Sequence, residues 1–347
     1  MTVPYDLREV DPTTPVPPEN PKETVISLFC GAGGLDLGFH QAGFQTVLAA
    51  DKDAASVRTF NRNFENDVAI VLNLARPNIK RVLSRLGETR PVGVIGGPPC
   101  QGFSRGNVAK DPKDPRNHLP YAFAKFIGSI QRYFPLDFFV FENVAGLASP
   151  KQEKRWNRIM RKFSDLGFRL FTQIMDAQDF GIAQIRRRLF LVGFHQSLEI
   201  ENFCFPAGCL QDRLTVEDVI ADLPPPVLFK RTLSPVDIPF HPNHWTTMPR
   251  SARFKSQEFN KWRSFRRLDW NAPSPTVAYG NREIHVHPSG DRRLSILEAM
   301  LLQGFPREFQ LYGNLSEQVT QVCNAVPPPL AKAIALSIRN HVGYLRR

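Results

Sequence analysis

The sequence predicts an α/β fold: a doubly wound, mostly parallel sheet with a second, smaller and irregular domain. Three observations lead to this fold class. Apolar runs are continuous, as in strands that helices cover on both faces. These runs alternate with helical patterns along the first half of the chain. A glycine-rich turn, LFCGAGG, joins the first strand to the first helix, where α/β folds commonly bind nucleotides.

Each element follows from its local pattern. Near the N-terminus the patterns predict two strands and two helices in alternation: TVISLF, GLDLGFHQAG, FQTVLAAD and AASVRTFNRNF. Further along, three apolar runs predict strands: VGVIGG, LDFFVFENV and RRRLFLVGF. Between the last two runs, KRWNRIMRKFSDLG predicts a basic helix. The order is that of a doubly wound sheet.

Changes in composition divide the chain into four parts. Residues 1–22 are polar and rich in proline, and we expect a flexible tail there. Residues 23–195 carry the alternation of strands and helices. Residues 196–310 are rich in proline, basic and aromatic residues without a sustained period, so we expect a second domain. Residues 311–347 contain a helical pattern that we expect to pack back on the first domain.

The charge of the chain points to a polyanionic partner. The formal net charge is +11 at pH 7, which favours nucleic acid or an anionic membrane. No apolar run approaches a membrane-spanning length, and the N-terminus has no signal-peptide core. Nucleic acid is therefore the expected partner and the cytoplasm the expected compartment. The alternative is an enzyme with a solvated basic face.

The cysteines indicate free thiols. The chain has five, an odd number, and lacks a secretory signal. Cys204 and Cys209 in CFPAGC could be combined with His241 and His244 in HPNH as zinc ligands. Their spacing fits no standard zinc finger, and we predict no metal site.

One cysteine stands in an unusual context. In GGPPCQGFS, Cys100 follows two prolines that exclude both a helix and continued ladder pairing. It is therefore held at the exit of the strand VGVIGG, where α/β folds form their ligand clefts. This position makes Cys100 a candidate nucleophile, with a structural turn cysteine as the alternative.

The first turn is a candidate nucleotide site. Gly31, Gly33 and Gly34 permit a tight turn and a close approach by a ligand. Asp51 ends the second strand, where a carboxylate can accept from ribose hydroxyls. Asp36 stands in place of the third glycine of the dinucleotide fingerprint, which favours an adenosine ligand without a pyrophosphate. A plain strand–helix turn is the alternative.

Together these segments resemble the DNA cytosine-C5 methyltransferases of the bacterial modification type, in order across nearly the whole chain. FCGAGG is similar to their methyl-donor loop, GGPPCQGFS to their nucleophile loop, FENV to their catalytic glutamate motif and QIRRRLF to their Q-x-R-x-R stretch. SGDRRLSILEAMLLQGFP and QVCNAVPPPLAKAI resemble their two C-terminal motifs. The resemblance implies a Rossmann-like catalytic domain over 23–195 and a target-recognition domain over 196–310.

The resemblance implies a catalytic set. Cys100 would add to C6 of cytosine, which turns the ring into an enamine whose C5 can accept a methyl group. Glu142 would protonate N3, and burial at the end of its apolar strand should raise its pKa. If QIRRRLF begins a strand, Arg186 and Arg188 share a face, and Arg187 points the other way. Arg188 would hold the cytosine O2, and Arg186 the phosphate or the loop near the nucleophile.

The implied cofactor is S-adenosylmethionine. Phe29 would stack near the adenine, the Gly31–Gly34 backbone would approach the methionine carboxylate, and Asp51 would bind the ribose, where the family more often has glutamate. The remaining expected contacts are Asn73, Pro98 and Asn324. Cys323 stands where the family has glycine in QVGN. It is harmless if the backbone there has negative φ, which we favour, and strained if φ is positive.

The expected nucleic-acid partner is double-stranded DNA. Around and after the nucleophile the candidate DNA contacts are Gln101, Ser104, Arg105 and Arg116, in a loop that resembles the family's mobile loop. Thr276 and Arg282 are further candidates in PSPTVAYGNRE. We expect a monomer that acts at the nucleoid without an obligate protein partner.

Three other functions compete with this one. The related tRNA methyltransferases usually carry a Cys-Phe-Thr tripeptide that is absent here. A non-catalytic DNA-binding homologue would be expected to lose Cys100 or Glu142, and both are present. An oxidoreductase that uses NAD would leave the Pro-Pro-Cys and FENV segments unexplained.

Overall fold

The structure is a computed structural model that describes residues 23–64, 67–99, 114–211, 213–230, 232–259, 265–279 and 283–343. The expected tail at 1–22 therefore lies outside the described residues. The strands, in chain order, are β1 (Glu23–Leu28), β2 (Phe44–Asp51), β3 (Ala69–Val71), β4 (Gly93–Gly96), β5 (Phe138–Val144), β6 (Phe168–Asp176), β7 (Gln184–Ile185), β8 (Arg187–His195), β9 (Val227–Leu228), β10 (Trp245–Thr246), β11 (Ser274–Pro275), β12 (Ala278–Tyr279) and β13 (Glu283–Ile284).

The α-helices of the described residues are α1 (Gly34–Gln41), α2 (Ala54–Asn63), α3 (Ile79–Leu86), α4 (Leu119–Ile130), α5 (Glu153–Ser164), α6 (Val216–Ile220), α7 (Ala252–Lys255), α8 (Ile296–Leu301), α9 (Leu315–Asn324) and α10 (Pro328–Gly343). Short 3₁₀ helices lie between several of them. One, Pro115–His118, leads directly into α4.

Seven strands form one sheet in the order β3-β2-β1-β4-β5-β8-β6. The first five are parallel, while β8 is antiparallel to both β5 and β6. The chain starts in the middle of the sheet at β1, moves to one edge and then crosses to β4. The carboxyl ends of β1 and β4 therefore flank a crevice of the kind that binds ligands in open α/β sheets. The prediction of a doubly wound, mostly parallel sheet is confirmed.

Helices cover both faces of this sheet. On one face α10 packs against α1 so closely that a Cβ at Gly38 would lie 2.5 Å from Ala331 Cβ. Helix α10 thus lies directly against α1, and the expected C-terminal segment over 311–347 stays a prediction. On the other face, α4 and α5 contribute phenylalanines to a core in which Phe139 and Phe163 stack with their ring centroids 4.3 Å apart.

The second half of the chain is irregular, as predicted. It contains two-stranded pairs, β9 with β10 and β12 with β13, and short helices around a separate apolar core. That core includes α8 and α9, so it adjoins the sheet through the C-terminal motifs. Phe203 packs on Phe194 of β8, with 5.2 Å between the ring centroids. The division of the chain near residue 196 stays a prediction.

A buried carboxylate supports the first turn. Asp36 in α1 is fully buried and accepts hydrogen bonds from Ser27 Oγ and Thr46 Oγ1, each 2.9 Å long. Burial raises the pKa of Asp36 to about 6, and the two hydroxyl donors oppose that shift only in part. Asp36 thus ties α1 to β1 and β2 at the position where a dinucleotide-binding turn would have its third glycine.

We expect Asp36 to make the free energy of unfolding depend on pH. Its carboxyl binds a proton more tightly in the folded chain than in the unfolded chain, where the pKa is about 3.9. Stability should therefore fall as pH rises from about 4 to about 6. Asp36→Asn should remove this pH dependence. The free energy of unfolding of wild type minus that of the variant should therefore change by roughly 2–3 kcal/mol between these pH values. Denaturant unfolding at several pH values measures it.

Asp165→Asn is the matched control, since Asp165 is an exposed carboxylate just after α5. It separates the loss of one exposed carboxylate from the loss of a buried one. Parallel stability curves for wild type and Asp36→Asn would contradict the assignment.

Candidate active site

Glu142 lies near the end of β5, with its side chain 10% exposed. The Arg188 Nε is 3.0 Å from Glu142 Oε1. Burial raises the pKa of Glu142, while the positive charges of Arg188 and Arg186 act against that shift. The expected raised pKa of this carboxyl is therefore confirmed in direction.

Strand register explains why these two side chains meet. Arg188 of β8 is paired with Val144 of β5, two residues beyond Glu142. Side chains two apart in a strand share a face, and directly paired residues do as well. Arg188 is thus the diagonal neighbour of Glu142 on one side of the sheet, within reach of its long side chain.

The segment before Cys100 lies against this pair. Asn143 Nδ2 donates to the Pro98 carbonyl oxygen over 2.9 Å, which ties the loop after β4 to β5. A Cβ at Gly97 would lie 2.7 Å from Glu142 Oε2, so only glycine leaves room for the carboxylate in this arrangement. Cys100 lies outside the described residues, as do the expected DNA contacts Gln101, Ser104 and Arg105. The residues two and three positions before Cys100 are in contact with the Glu142 strand.

Arg186 requires a correction. The Q-x-R-x-R segment does not form one strand: β7 ends at Ile185, and β8 begins at Arg187. The Arg186 side chain is buried, and its Nη2 donates to the carbonyl oxygens of Cys323 and Ala325 at 2.9 and 2.7 Å. It therefore holds the end of α9. The nucleophile loop lies outside the described residues, and the expected contact of Arg186 with that loop or with a phosphate stays a prediction.

Two of the three guanidinium nitrogens of Arg186 make no hydrogen bond within the described residues. Its Nε and Nη1 are buried and have no hydrogen-bond partner within the part of the chain that the structure describes. Burial, together with repulsion from Arg188, lowers the pKa of Arg186. Arg187 is exposed, and as the neighbour of Arg188 in β8 it lies on the opposite face of the sheet.

The glycine turn has the geometry of a ligand cradle. Gly31 and Gly33 have φ angles of 54° and 92°, which only glycine adopts readily. A Cβ at Gly31 would meet no atom of the described residues within 4 Å, so this side of the turn is open. A Cβ at Gly34 would lie 2.3 Å from the Val326 carbonyl oxygen, because α1 packs tightly on the segment after α9.

Asp51 closes the cradle from the end of β2. Its Oδ2 accepts from the Gly31 amide at 3.0 Å and its Oδ1 from the Asp53 amide at 2.9 Å. Burial raises the pKa of Asp51, against the lowering effect of these two donors. A carboxylate offers about four acceptor sites, so each oxygen can still accept from a ribose hydroxyl.

The other expected cofactor residues follow β1, β3 and β4 or end α9. Phe29 has a φ of 55°, a left-handed conformation that is strained for a phenylalanine and holds the turn at the end of β1. Asn73 is exposed after β3, and its Oδ1 accepts from the Ala75 amide. Pro98 is buried, and Asn324 is exposed at the end of α9 with no side-chain partner among the described residues.

The expected DNA contacts are only partly within the described residues. Arg116 lies in the 3₁₀ helix after the nucleophile loop, where it pairs with Asp114 and holds the pKa of that carboxyl at about 2. Thr276 is half-buried between β11 and β12, and its carbonyl oxygen accepts from His285 Nε2. Arg282 lies outside the described residues.

Two kinds of site are absent from the described part of the chain. It holds no group of three or more His, Cys, Asp or Glu residues placed to bind a metal ion. Nor does it contain a helix with the length and apolar character needed to cross a bilayer.

Comparison with known proteins identifies the family. The model of the C-5 cytosine-specific DNA methylases matches residues 24–340. The chain belongs to this family. It is 33% identical over 342 residues to the type II methyltransferase M.FnuDI of Fusobacterium nucleatum, covering 91% of this chain and 94% of that protein. It is 34% identical to M.MthTI of Methanothermobacter thermautotrophicus, covering 91% and 96%.

Solved structures agree with the fold of this methylase. A structure assigned as a prophage-encoded DNA modification methyltransferase of E. coli has a TM-score of 0.73 at 25% identity, covering 92% of this chain and 99% of that one. The Entamoeba histolytica methyltransferase EhMeth has a TM-score of 0.64 at 15% identity, covering 93% and 99%. The second likeness concerns the fold alone.

Cys323 is placed without strain in this methylase. It lies inside α9, so its backbone is right-handed helical, and it is not among the described non-glycine residues with positive φ. The favoured interpretation of negative φ is confirmed. We expect Cys323→Gly to change the affinity for S-adenosylmethionine by less than about threefold, roughly 0.7 kcal/mol. Stability should fall by about 0.5–1 kcal/mol, since glycine weakens a helix.

Isothermal titration with the cofactor and denaturant unfolding measure both effects, and Cys323→Ala is the control without added backbone freedom. A tenfold or greater gain in affinity on restoring glycine would mean that the thiol obstructs the cofactor site. Methyl transfer by Cys323→Ala should stay near that of wild type.

Proposed function

We propose that this methylase transfers a methyl group from S-adenosylmethionine to C5 of a cytosine extruded from a short, specific site in duplex DNA. The reaction proceeds through a covalent bond between Cys100 and C6. The observation that supports this most strongly is the buried Glu142–Arg188 pair beside Pro98, two residues before the nucleophile. There, at the carboxyl edge of the sheet, the Glu142 carboxyl lies beside the segment that leads to Cys100.

The chemistry is divided among these residues. The Cys100 thiolate donates an electron pair to C6, and the ring gains electron density that would be costly without a proton at N3. Glu142 supplies that proton, for which its raised pKa suits it. Arg188, which is paired with the Glu142 carboxylate, would donate a hydrogen bond to the cytosine O2. Once C5 has gained the methyl group, water takes the C5 proton, the C6–S bond breaks to return the Cys100 thiolate, and N3 gives its proton back to Glu142, which restores the aromatic ring.

The cradle at the first turn fits S-adenosylmethionine, which supplies an electrophilic methyl group when bound. The open side of Gly31 admits close approach of a ligand to the backbone. Asp51 retains acceptor capacity for the ribose hydroxyls, and Asn324 has an uncommitted amide at the end of α9. Phe29, Gly33, Gly34, Asn73 and Pro98 complete the proposed cofactor set.

The second domain, which we place over 196–310, would read the DNA sequence, with Thr276 and Arg282 as candidate contacts. Gln101, Ser104, Arg105 and Arg116 would contact the strand around the extruded base. A net charge of +11 gives the chain the affinity for phosphates that this function needs. We place the enzyme as a monomer at the bacterial nucleoid in the cytoplasm, where this substrate is found.

Bisulfite sequencing of DNA from cells that express the chain tests the function and maps the recognition site. We expect protected cytosines at one position of a short recurrent sequence, and none in cells that express Cys100→Ser. Random protection, or protection that persists in Cys100→Ser, would contradict the proposal. Methylated tRNA with unmodified DNA would indicate the tRNA-modifying alternative.

We expect Cys100 to form a stable adduct with a duplex whose target cytosine is replaced by 5-fluorocytosine. Fluorine at C5 cannot leave as a proton does, so elimination of the sulfur fails after methyl transfer. A denaturing gel should show a shifted band only when S-adenosylmethionine is present. Cys100→Ser should give no band, and Cys204→Ser, an exposed cysteine outside the site, should behave like wild type.

We expect Glu142→Gln to keep most of the affinity for DNA and to lower turnover by about a hundredfold or more, since an amide cannot deliver a proton to N3. Steady-state methylation with tritiated cofactor measures this. Glu88→Gln, an exposed glutamate just after α3, is the matched control and should retain full turnover. Near-normal turnover of Glu142→Gln would assign the N3 proton to another residue.

A further inference from the structure

Helix α5 presents a strongly basic face that the proposed chemistry does not use. Five of its twelve residues are lysine or arginine, and one, Glu153, is acidic. The opposite face is apolar, with Ile159 and Phe163 fully buried in the core. Four of the cations are exposed: Lys154, Arg158, Arg161 and Lys162.

These charges are not neutralised within the described residues. Neither Arg158, Arg161 nor Lys162 forms an ion pair with any described carboxylate, and the Arg158 Nε donates only to the Lys154 carbonyl oxygen. Lys154, Arg158 and Lys162 follow each other at intervals of four residues, and like charges at that spacing repel each other along one face of a helix. A bound polyanion would relieve this repulsion.

The basic face also forms a groove. Arg155, Arg158, Arg161 and Lys162 line one side of a depression of about 460 Å³, and His118 and Tyr121 from the start of α4 line the other. A second depression of about 390 Å³ adjoins it at the start of α5 and shares Arg155 and Arg158. We call these two neighbouring depressions the α5 groove; both are lined by Arg155 and Arg158.

Topology places the α5 groove beside the catalytic edge. Helix α4 follows β4 and the nucleophile loop, and α5 follows β5, which carries Glu142. Both helices therefore begin at the carboxyl edge of the parallel strands and run away from it. A duplex held with its target base at Glu142 can continue past that edge along this groove.

We propose that the α5 groove binds the phosphates of duplex DNA that flanks the recognition site on the side of the catalytic domain. From Lys154 to Lys162 the helix rises about 12 Å, which spans about three phosphates of one strand. The contact recognises the backbone without reading sequence, and it lengthens the footprint of the enzyme beyond the recognition site. This inference rests on the proposed function, because it presupposes DNA as substrate.

The test compares two triple variants of equal charge. Arg158→Gln/Arg161→Gln/Lys162→Gln removes three cations of the groove. The control, Lys80→Gln/Arg85→Gln/Arg132→Gln, removes two arginines and one lysine that are exposed outside it. Fluorescence anisotropy measures binding of each protein to two duplexes with the mapped site at the centre, of about 12 and about 40 base pairs, over a range of salt.

The groove variant should bind the long duplex at least about tenfold more weakly than the control, and its salt slope should be smaller by about 2 to 3, as for three lost phosphate contacts. Its affinity for the short duplex should match the control within about threefold. Equal affinities of the two variants for the long duplex, or equal losses on both duplexes, would overturn the proposal.

A measurement with the wild-type chain guards against misfolded variants. Neutral methylphosphonate linkages in the flanks of the long duplex should reduce its affinity to that of the short one, and unchanged affinity would also overturn the proposal. Methylation of the long duplex by wild type separates the two proposals. If wild type methylates no DNA, the proposed function fails, whereas normal methylation with an unaffected groove variant rejects the groove alone.

Discussion

The hydrogen bond from Asn143 to the Pro98 carbonyl oxygen connects the two halves of the proposed chemistry. One partner follows Glu142 directly in β5, and the other lies two residues before Cys100. Because β4 and β5 are adjacent and parallel, their carboxyl ends lie side by side, and this single side chain fixes the loop of one to the backbone of the other. The glycine at position 97 completes the arrangement, since any larger residue would press on the carboxylate.

Around this bond the structure buries several charges together. Glu142 lies near two arginines, yet the lost hydration of its carboxylate outweighs their attraction, and its pKa stays raised. Arg186 directs its charge toward two carbonyl oxygens at the end of α9, which carries Asn324 of the proposed cofactor site. The same edge of the sheet thus holds the acid, the segment that leads to the nucleophile and the segment that would contact the methyl donor.

The parts of this site that sequence could predict are those fixed by local patterns. The apolar run before FENV predicts a buried strand, and burial in turn predicts the raised pKa of Glu142. Negative φ at Cys323 could also be predicted, because the motif residues on both sides of it are intact. Arg186 shows the limit: its carbonyl partners lie 137 and 139 residues away, and no local pattern contains them.

Strand direction is a second limit. The run RRRLFLVGF predicts β8 but not its antiparallel orientation, which depends on β6. That edge strand mixes exposed and buried residues along its length and so lacks a clear apolar run. Asp36 is a third case. In the sequence, Asp36 only marks the absence of the third glycine of the dinucleotide fingerprint. The fold shows its structural part, because Ser27 and Thr46 donate to its carboxylate.

The most direct test of the proposed coupling between nucleophile and acid is the rate at which Asn143→Ala forms the covalent adduct with a 5-fluorocytosine duplex, measured with saturating DNA and cofactor. We expect a rate about ten- to a hundredfold below wild type, because a loosely held Cys100 loop loses the orientation that makes attack on C6 efficient. The affinities for DNA and S-adenosylmethionine should stay within about threefold of wild type. An unchanged rate of adduct formation would contradict the claim that β5 holds the nucleophile loop in place.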